Sequence, residues 1–236
     1  MDSQLVVLGG GPGGYAAAFL AADLGMQVTL VDLESRLGGT CLLRGCIPSK
    51  ALLHVAKAMS EASYLSEWGV SFPKPAIDIN AMRARKEKVI STLTGGLKQV
   101  ASKRNVKVVQ AKAHFEDGRT LRLQPVGNTP LADDCICFEN CILASGSRPS
   151  RIPAFDLPTP RVMDSTGALE LADVPESLLV VGGGYIGLEM GTVYAALGTR
   201  VSVVELTDGL LPGADRDLVR PLHKKLSKIL PRSCWA

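Results

Sequence analysis

The chain has 236 residues, 46% hydrophobic and 21% charged, with a formal net charge of +3. That is enough for one or two globular domains with real cores, and no block of Lys or Arg marks a nucleic-acid surface or a membrane-binding face. The opening MDSQLVVLGGG lacks the basic start and long apolar core of a secretory signal, and no later stretch is apolar enough to span a bilayer. The expectation is a cytoplasmic protein, in which a close cysteine pair is catalytic, metal-binding or inert rather than a standing structural disulfide.

The first predicted element is a short strand, LVVL at 5–8, which runs into GGGPGG. Residues 9–32, GGGPGGYAAAFLAADLGMQVTLVD, then recur without a gap as residues 182–205, GGGYIGLEMGTVYAALGTRVSVVE, again after an apolar strand at 177–181. Each copy holds G-x-G-x-x-G, at Gly9, Gly11 and Gly14 and at Gly182, Gly184 and Gly187, before a small-residue helix closed by Leu-Gly. A β-branched strand follows in each and ends in an acid, Asp32 or Glu205. The first glycine permits the tight turn, the second lets backbone approach a pyrophosphate, and the third lets helix and strand pack closely. Phosphate then meets free N–H groups at the helix start, and the acid about 20 residues on accepts from an adenosine ribose. Two dinucleotide sites are expected. A carboxylate at 205 accepts from a ribose 2′-OH and repels a 2′-phosphate, which favours NAD(H) over NADP(H).

After the first copy comes GGTCLLRGCIPSK, residues 38–50, with Cys41 and Cys46 five apart. Such a pair is often two small buried hydrophobes. Here the glycines at 38, 39 and 45 let the backbone crowd a flat ring, and Pro48 suits a helix's first turn. On an undistorted helix, residues five apart are too distant for a disulfide, so either the turn is distorted or Cys41 precedes the helix.

Residues 48–67 and 79–104 read as helices, the second broken at Gly95-Gly96. Residues 106–124 and 134–144 alternate like strands, with Asp117-Gly118 as a hairpin turn. The four prolines of 148–160 read as a linker, which divides the chain into domains 1–150 and 151–236. Strands 4–9, 28–32 and 140–144 are expected in one mostly parallel sheet with 106–124 as an antiparallel layer, and 177–182 and 201–205 in a second sheet. Cys135, Cys137 and Cys141, even with Cys234 as a fourth ligand, lack the C-x2-C knuckles of zinc sites and read as core thiols, so no metal is expected. His54, His114 and His223 stand apart from any nucleophile, and KKLSK at 224–228 reads as the solvated face of a helix over 218–230 capped by Asp217.

Taken together, GGTCLLRGCIPSKALLH, LASGSRP (143–149), STGALEL (165–171), GGGYIGLE (182–189) and LLPGADRDLV (210–219) resemble the pyridine nucleotide–disulfide oxidoreductases, and CIPSKALL most resembles their dihydrolipoamide dehydrogenase branch. The usual family motif is GGTCLNVGCIPSK, so Leu43 and Arg44 depart from it. The resemblance implies an α/β fold of two Rossmann-like three-layer dinucleotide-binding domains, FAD then NAD, the second truncated and the C-terminal dimerisation domain absent. It implies that Gly9, Gly11, Gly13 and Gly14 cradle the FAD pyrophosphate and Asp32 its ribose, with Gly39, Thr40, Cys41, Lys50, Ala113, Ser145 and Gly146 as further cofactor-binding positions. Gly182, Gly184, Tyr185, Ile186, Gly187 and Glu205 would hold NAD. Cys41 would be the outer, more accessible thiol that exchanges with dihydrolipoamide, and Cys46 the inner thiol against the flavin. Lys50 and Glu189 would be catalytic, forming an ion pair that joins the two nucleotide domains and whose loss, if buried, costs about 3–5 kcal/mol.

The implied partners are dihydrolipoamide on the lipoyl domains of 2-oxoacid dehydrogenase or glycine cleavage complexes, and a second copy in a homodimer, with no nucleic acid and no membrane. Alternative readings are an NADPH-dependent disulfide or mercuric reductase of the same family, and a non-catalytic FAD- or nucleotide-binding fragment. A redox-sensing adaptor using only the cysteines ranks last. The tail PRSCWA does not resemble the family, and the chain reads as the front half of a longer enzyme.

Overall fold

A computed structural model describes residues 1–127 and 130–230, together with the backbone of Cys234–Trp235. The rest of the tail 231–236, and with it the side chain of Cys234, lies outside the described residues. Contacts divide the chain into two compact units, Met1–Ile47 with Lys88–Ser150, and Pro48–Glu87 with the chain from Arg151 on.

In the first unit, β1 (Asp2–Leu8) pairs in parallel with β2 (Val28–Asp32) on one side and β5 (Cys135–Leu143) on the other. Strand β3 (Lys107–Phe115) serves two partners. Its first half, from Lys107 to Gln110, extends the parallel sheet beside β2, and its second half, from Ala111 to Phe115, turns back against β4 (Thr120–Pro125). Strand β4 then pairs antiparallel with the start of β5, which closes the five strands into a barrel. The expected parallel sheet is present, but 106–124 is not a separate layer: β3 and β5 are each long enough to belong to both parts. The hairpin at Asp117-Gly118 forms, with Arg119 N donating to Asp117 Oδ1 at 2.7 Å.

Side-chain alternation sorts the core into two sets, as both faces of a parallel sheet are covered. Leu5, Val7 and Leu30 pack with Ala18 and Ala21 of α1 (Pro12–Asp23) and with Ala101 near the end of α4 (Ile79–Lys103). Val6, Val31, Ala111, Leu121, Ile136 and Phe138 pack together from all five strands. Along β5 the inward positions are thus Ile136 and Phe138. Of the three cysteines expected in the core, Cys141 is half-buried and packs against this cluster, whereas Cys135 is half-buried without belonging to it and Cys137 is exposed. Helix α4 also runs unbroken through Gly95 and Gly96, where a Cβ at either would meet nothing within 4 Å. Packing of Leu97 and Ala101 on the sheet outweighs the weak helix propensity of the glycines.

In the second unit, β6 (Ser177–Val181), β7 (Arg200–Glu205) and β8 (Cys234–Trp235) form a parallel sheet in that order, so the two glycine turns lie on different sheets. Its core combines Leu52 and Ala56 of α3 (Cys46–Tyr64) with Leu169 of α5 (Ser165–Glu170), Leu188, Val193 and Tyr194 of α6 (Tyr185–Ala196), and Val219 and Leu226 of α7 (Arg216–Ile229). Helix α7 begins after Asp215, two residues earlier than expected, and Pro221 consequently lies inside it rather than in its first turn. Among the described residues no helix is long and apolar enough to cross a membrane.

Candidate functional site

The two glycine turns are built alike. Gly9 takes φ +109° and Gly182 φ +105°, conformations that side chains rarely adopt. A Cβ on Gly14 would lie 1.7 Å from Gly9 O, and one on Gly187 would lie 2.6 Å from Gly182 O, so each third glycine packs directly on the turn. Gly11 and Gly184 occupy the N-cap positions of α1 and α6 with extended backbone, and no side chain caps either helix. A Cβ at Gly13 or Gly184 would meet nothing within 4 Å. Both helices thus start without a side-chain cap at their positive end, an arrangement that fits a pyrophosphate in both units.

Each acid grips its own turn. Gly10 N donates to Asp32 Oδ2, and Gly183 N to Glu205 Oε2 at 2.6 Å. Two residues past the acid, Glu34 N donates to Asp32 Oδ1 at 2.7 Å and Thr207 N to Glu205 Oε1 at 2.9 Å. The Thr207 and Gly183 amides hold the Glu205 carboxyl below the usual glutamate range. The correspondence extends past the sequence repeat, because Gly38 N bonds Gly10 O at 2.8 Å and Leu211 N bonds Gly183 O at 2.9 Å. This continuation leaves little trace in residue type, since glycine stands in one copy and leucine in the other.

In the first unit the cysteine segment sits against the glycine turn. A Cβ on Gly39 would come within 2.6 Å of Gly11 Cα. Thr40 Oγ1 donates to Ser147 O at 3.3 Å, and a Cβ on Gly9 would meet Ala144 O at 2.0 Å, so the 144–147 turn with Ser145 and Gly146 joins the same place. Ala113 lies instead on β3 opposite Leu123, packed against the cluster of Val6 and Val31.

Between the cysteines the helix is interrupted. Helix α2 (Gly39–Arg44) ends at Gly45, and α3 starts afresh at Cys46. A Cβ on Gly45 would lie 2.8 Å from Thr40 O and 3.3 Å from Cys41 Cα. The bare backbone beside Cys46 thus packs directly on Cys41, and the turn between the two cysteines is distorted. Cys46 is exposed and Cys41 half-buried, the reverse of the expected order of access. Cys46 opens a helix, where its side chain projects outward, whereas Cys41 lies within α2 under Gly45. Burial pushes the Cys141 thiol up, away from reactivity.

In the second unit, Lys50 Nζ donates to Glu189 Oε1 at 2.6 Å, so the expected ion pair forms, with both residues inside one unit. The neighbour of Lys50 completes it: Ser49 Oγ donates to Glu189 Oε2 at 2.5 Å. Ser49 is buried, and its role was not legible from a serine in a helix's first turn. Tyr185 and Ile186, at the start of α6, are exposed.

The family model for the pyridine nucleotide-disulphide oxidoreductases matches residues 3–229. The chain belongs to this family. Similar relatives include the dihydrolipoyl dehydrogenase of Vibrio parahaemolyticus, 50% identical over 226 residues that make up 96% of this chain and 47% of the relative. The Haemophilus influenzae dihydrolipoyl dehydrogenase is 49% identical over 228 residues, with 97% and 47% covered. Among solved structures, a Cu(II) complex of the HOCl-induced flavoprotein disulfide reductase RclA from Escherichia coli matches with a TM-score of 0.80 at 28% identity, covering 100% of this chain and 49% of that one. The chain thus spans about half the length of the relatives it matches. The flavin disulfide oxidoreductase fold and two glycine turns on separate sheets agree with membership of this oxidoreductase family.

Proposed function

We propose that the chain carries the flavin- and disulfide-bearing part of a dihydrolipoamide dehydrogenase, passing electrons from dihydrolipoamide through Cys41 and Cys46 to FAD and on to NAD+. The observation that carries this reading is the packing of the Cys41–Gly45–Cys46 turn beside the first glycine turn, with a second, equivalent turn available for another dinucleotide. In the oxidised couple, a substrate thiolate attacks one cysteine sulfur and frees the other as a thiolate. The second substrate thiol then displaces the first cysteine, leaving lipoamide as a disulfide and both cysteines reduced. The family resemblance assigns Cys41 as the sulfur attacked and Cys46 as the one released, although Cys46 is the more exposed thiol here.

FAD, when bound, would take up the electron pair from the dithiol and deliver it as hydride to nicotinamide. Gly9, Gly11, Gly13 and Gly14 would hold its pyrophosphate and Asp32 its ribose. Gly182, Gly184 and Gly187 would do the same for NAD, with Glu205 on the ribose diol. Ser49 fixes the Glu189 carboxylate, which in turn fixes the Lys50 ammonium as a positioned cation. The delivering partner would be a lipoyl domain and the assembly a homodimer.

The test is the visible spectrum of the purified chain after incubation with FAD, followed by NAD-dependent oxidation of dihydrolipoamide. A protein that retains no flavin through gel filtration would refute the assignment of the first turn. A second reading is nucleotide binding without turnover; the chain spans 47% of the length of one relative. A flavin spectrum without dihydrolipoamide oxidation would select it.

A further inference from the structure

Helix α2 is only six residues long and lies between glycines at 38 and 45. The helix is fixed by Gly38 N on Gly10 O, by Thr40 Oγ1 on Ser147 O and by the buried side chain of Leu42. The residue just before the break, Arg44, is tied elsewhere: its Nη1 donates to Glu34 Oε1 at 2.6 Å. Glu34 holds the place that Thr207 holds in the second repeat, at the same offset that relates Gly9 to Gly182. Both residues give a backbone N–H to the repeat's acid. Thr207 also turns its hydroxyl back onto Glu205 at 2.9 Å, whereas Glu34 sends its carboxylate to Arg44. The side chain of Glu34 is therefore spent on the redox segment. Arg44 is also one of the two residues that depart from the usual motif between the cysteines.

From this we infer that Arg44 and Glu34 are a positioning pair for the Cys41–Cys46 couple. Cys41 lies three residues before Arg44 on the same short helix, and Cys46 two residues after it, across the Gly45 break. Anchoring Arg44 to the turn just after β2 limits how far the two halves of the cysteine turn can swing. Disulfide closure requires Cα atoms within about 7 Å and suitably directed Cβ vectors, so such a restraint acts on the closure equilibrium. The inference rests on the reading of Cys41 and Cys46 as a redox couple.

The experiment equilibrates the chain in glutathione buffers and follows the Cys41–Cys46 bridge by peptide mass mapping. In this exchange the two cysteine thiols are oxidised to one S–S bond and glutathione disulfide is reduced to two glutathione thiols, which take up the two protons. Both side chains of the pair are about 40% exposed, so the restraint has the strength of a surface ion pair. Arg44→Met and Glu34→Gln should each lower the closure constant about two- to fivefold. The charge-exchanged double variant Arg44→Glu/Glu34→Arg should recover most of it, and molar salt should shrink the difference. Arg104→Met is the control. It breaks a pair of the same 2.6 Å length with Asp23, at the end of α1 remote from the redox segment, and should leave closure unchanged.

A bridge that forms equally in the chain and in Arg44→Met would overturn the inference, as would equal shifts in Arg44→Met and Arg104→Met. If the unaltered chain forms no Cys41–Cys46 bridge at all, the redox-couple reading fails first and takes this inference with it.

Discussion

The Ser49–Glu189–Lys50 group should respond unequally to the loss of its members. Lys50 has a side chain 60% exposed and Glu189 one 25% exposed, while Ser49 as a residue is only 4% exposed. Lys50→Ala removes a cation that water can replace, so the cost should stay within about 1 kcal/mol. That is below the about 3–5 kcal/mol of a buried pair losing one partner. Glu189→Ala also strands the Ser49 hydroxyl, whose acceptor is the carboxylate at 2.5 Å. A buried hydroxyl without a partner costs about 1–3 kcal/mol, and the bond it loses is charge-assisted, so about 2–3 kcal/mol is expected. The assay is urea unfolding of the chain, read as a shift in midpoint at constant m. A double-mutant cycle of Ser49→Ala with Glu189→Ala should give a coupling of about 1–2 kcal/mol. Lys50→Ala as damaging as Glu189→Ala, or a Ser49–Glu189 coupling near zero, would show that the Ser49 hydroxyl does not set the difference.

Gly14→Ala should abolish folding or flavin retention, because its Cβ would lie 1.7 Å from Gly9 O, whereas Gly13→Ala meets nothing within 4 Å and should still fold, which circular dichroism will check. Iodoacetamide should label Cys46 before Cys41 in the reduced chain, as followed by peptide mapping; the opposite order would contradict their exposures. Glu205 has a folded pKa lowered chiefly by the Thr207 and Gly183 amides, so its stabilisation is present above the ordinary value of 4.5 and lost as pH falls through the folded value. Glu205→Gln should therefore flatten the loss of stability below that pH. Glu205→Ala should also weaken NAD(H) and narrow the preference against NADP(H) in binding titrations; an unchanged ratio would count against its role at the ribose.

The glycine turns, their acids and the cysteine segment were legible in the sequence because their requirements are local. A positive φ at Gly9 or Gly182, or the contact of Gly14 with Gly9 O, admits little but glycine, so residue type reports geometry directly. The spacing of Cys41 and Cys46 called for either a distorted turn or a Cys41 ahead of the helix, and the structure breaks the helix at Gly45. Lys50 and Glu189 were brought together by resemblance to the family motif, and the structure joins them. Tertiary structure alone decided which strands close the barrel, since β3 and β5 each divide their length between two partners. It likewise decided that Ser49 reaches Glu189, that Arg44 reaches Glu34, and that Cys46 is more exposed than Cys41. A serine, an arginine and a strand edge each accept many partners at similar energy, and the partner is chosen by which surfaces the whole chain brings within hydrogen-bonding distance.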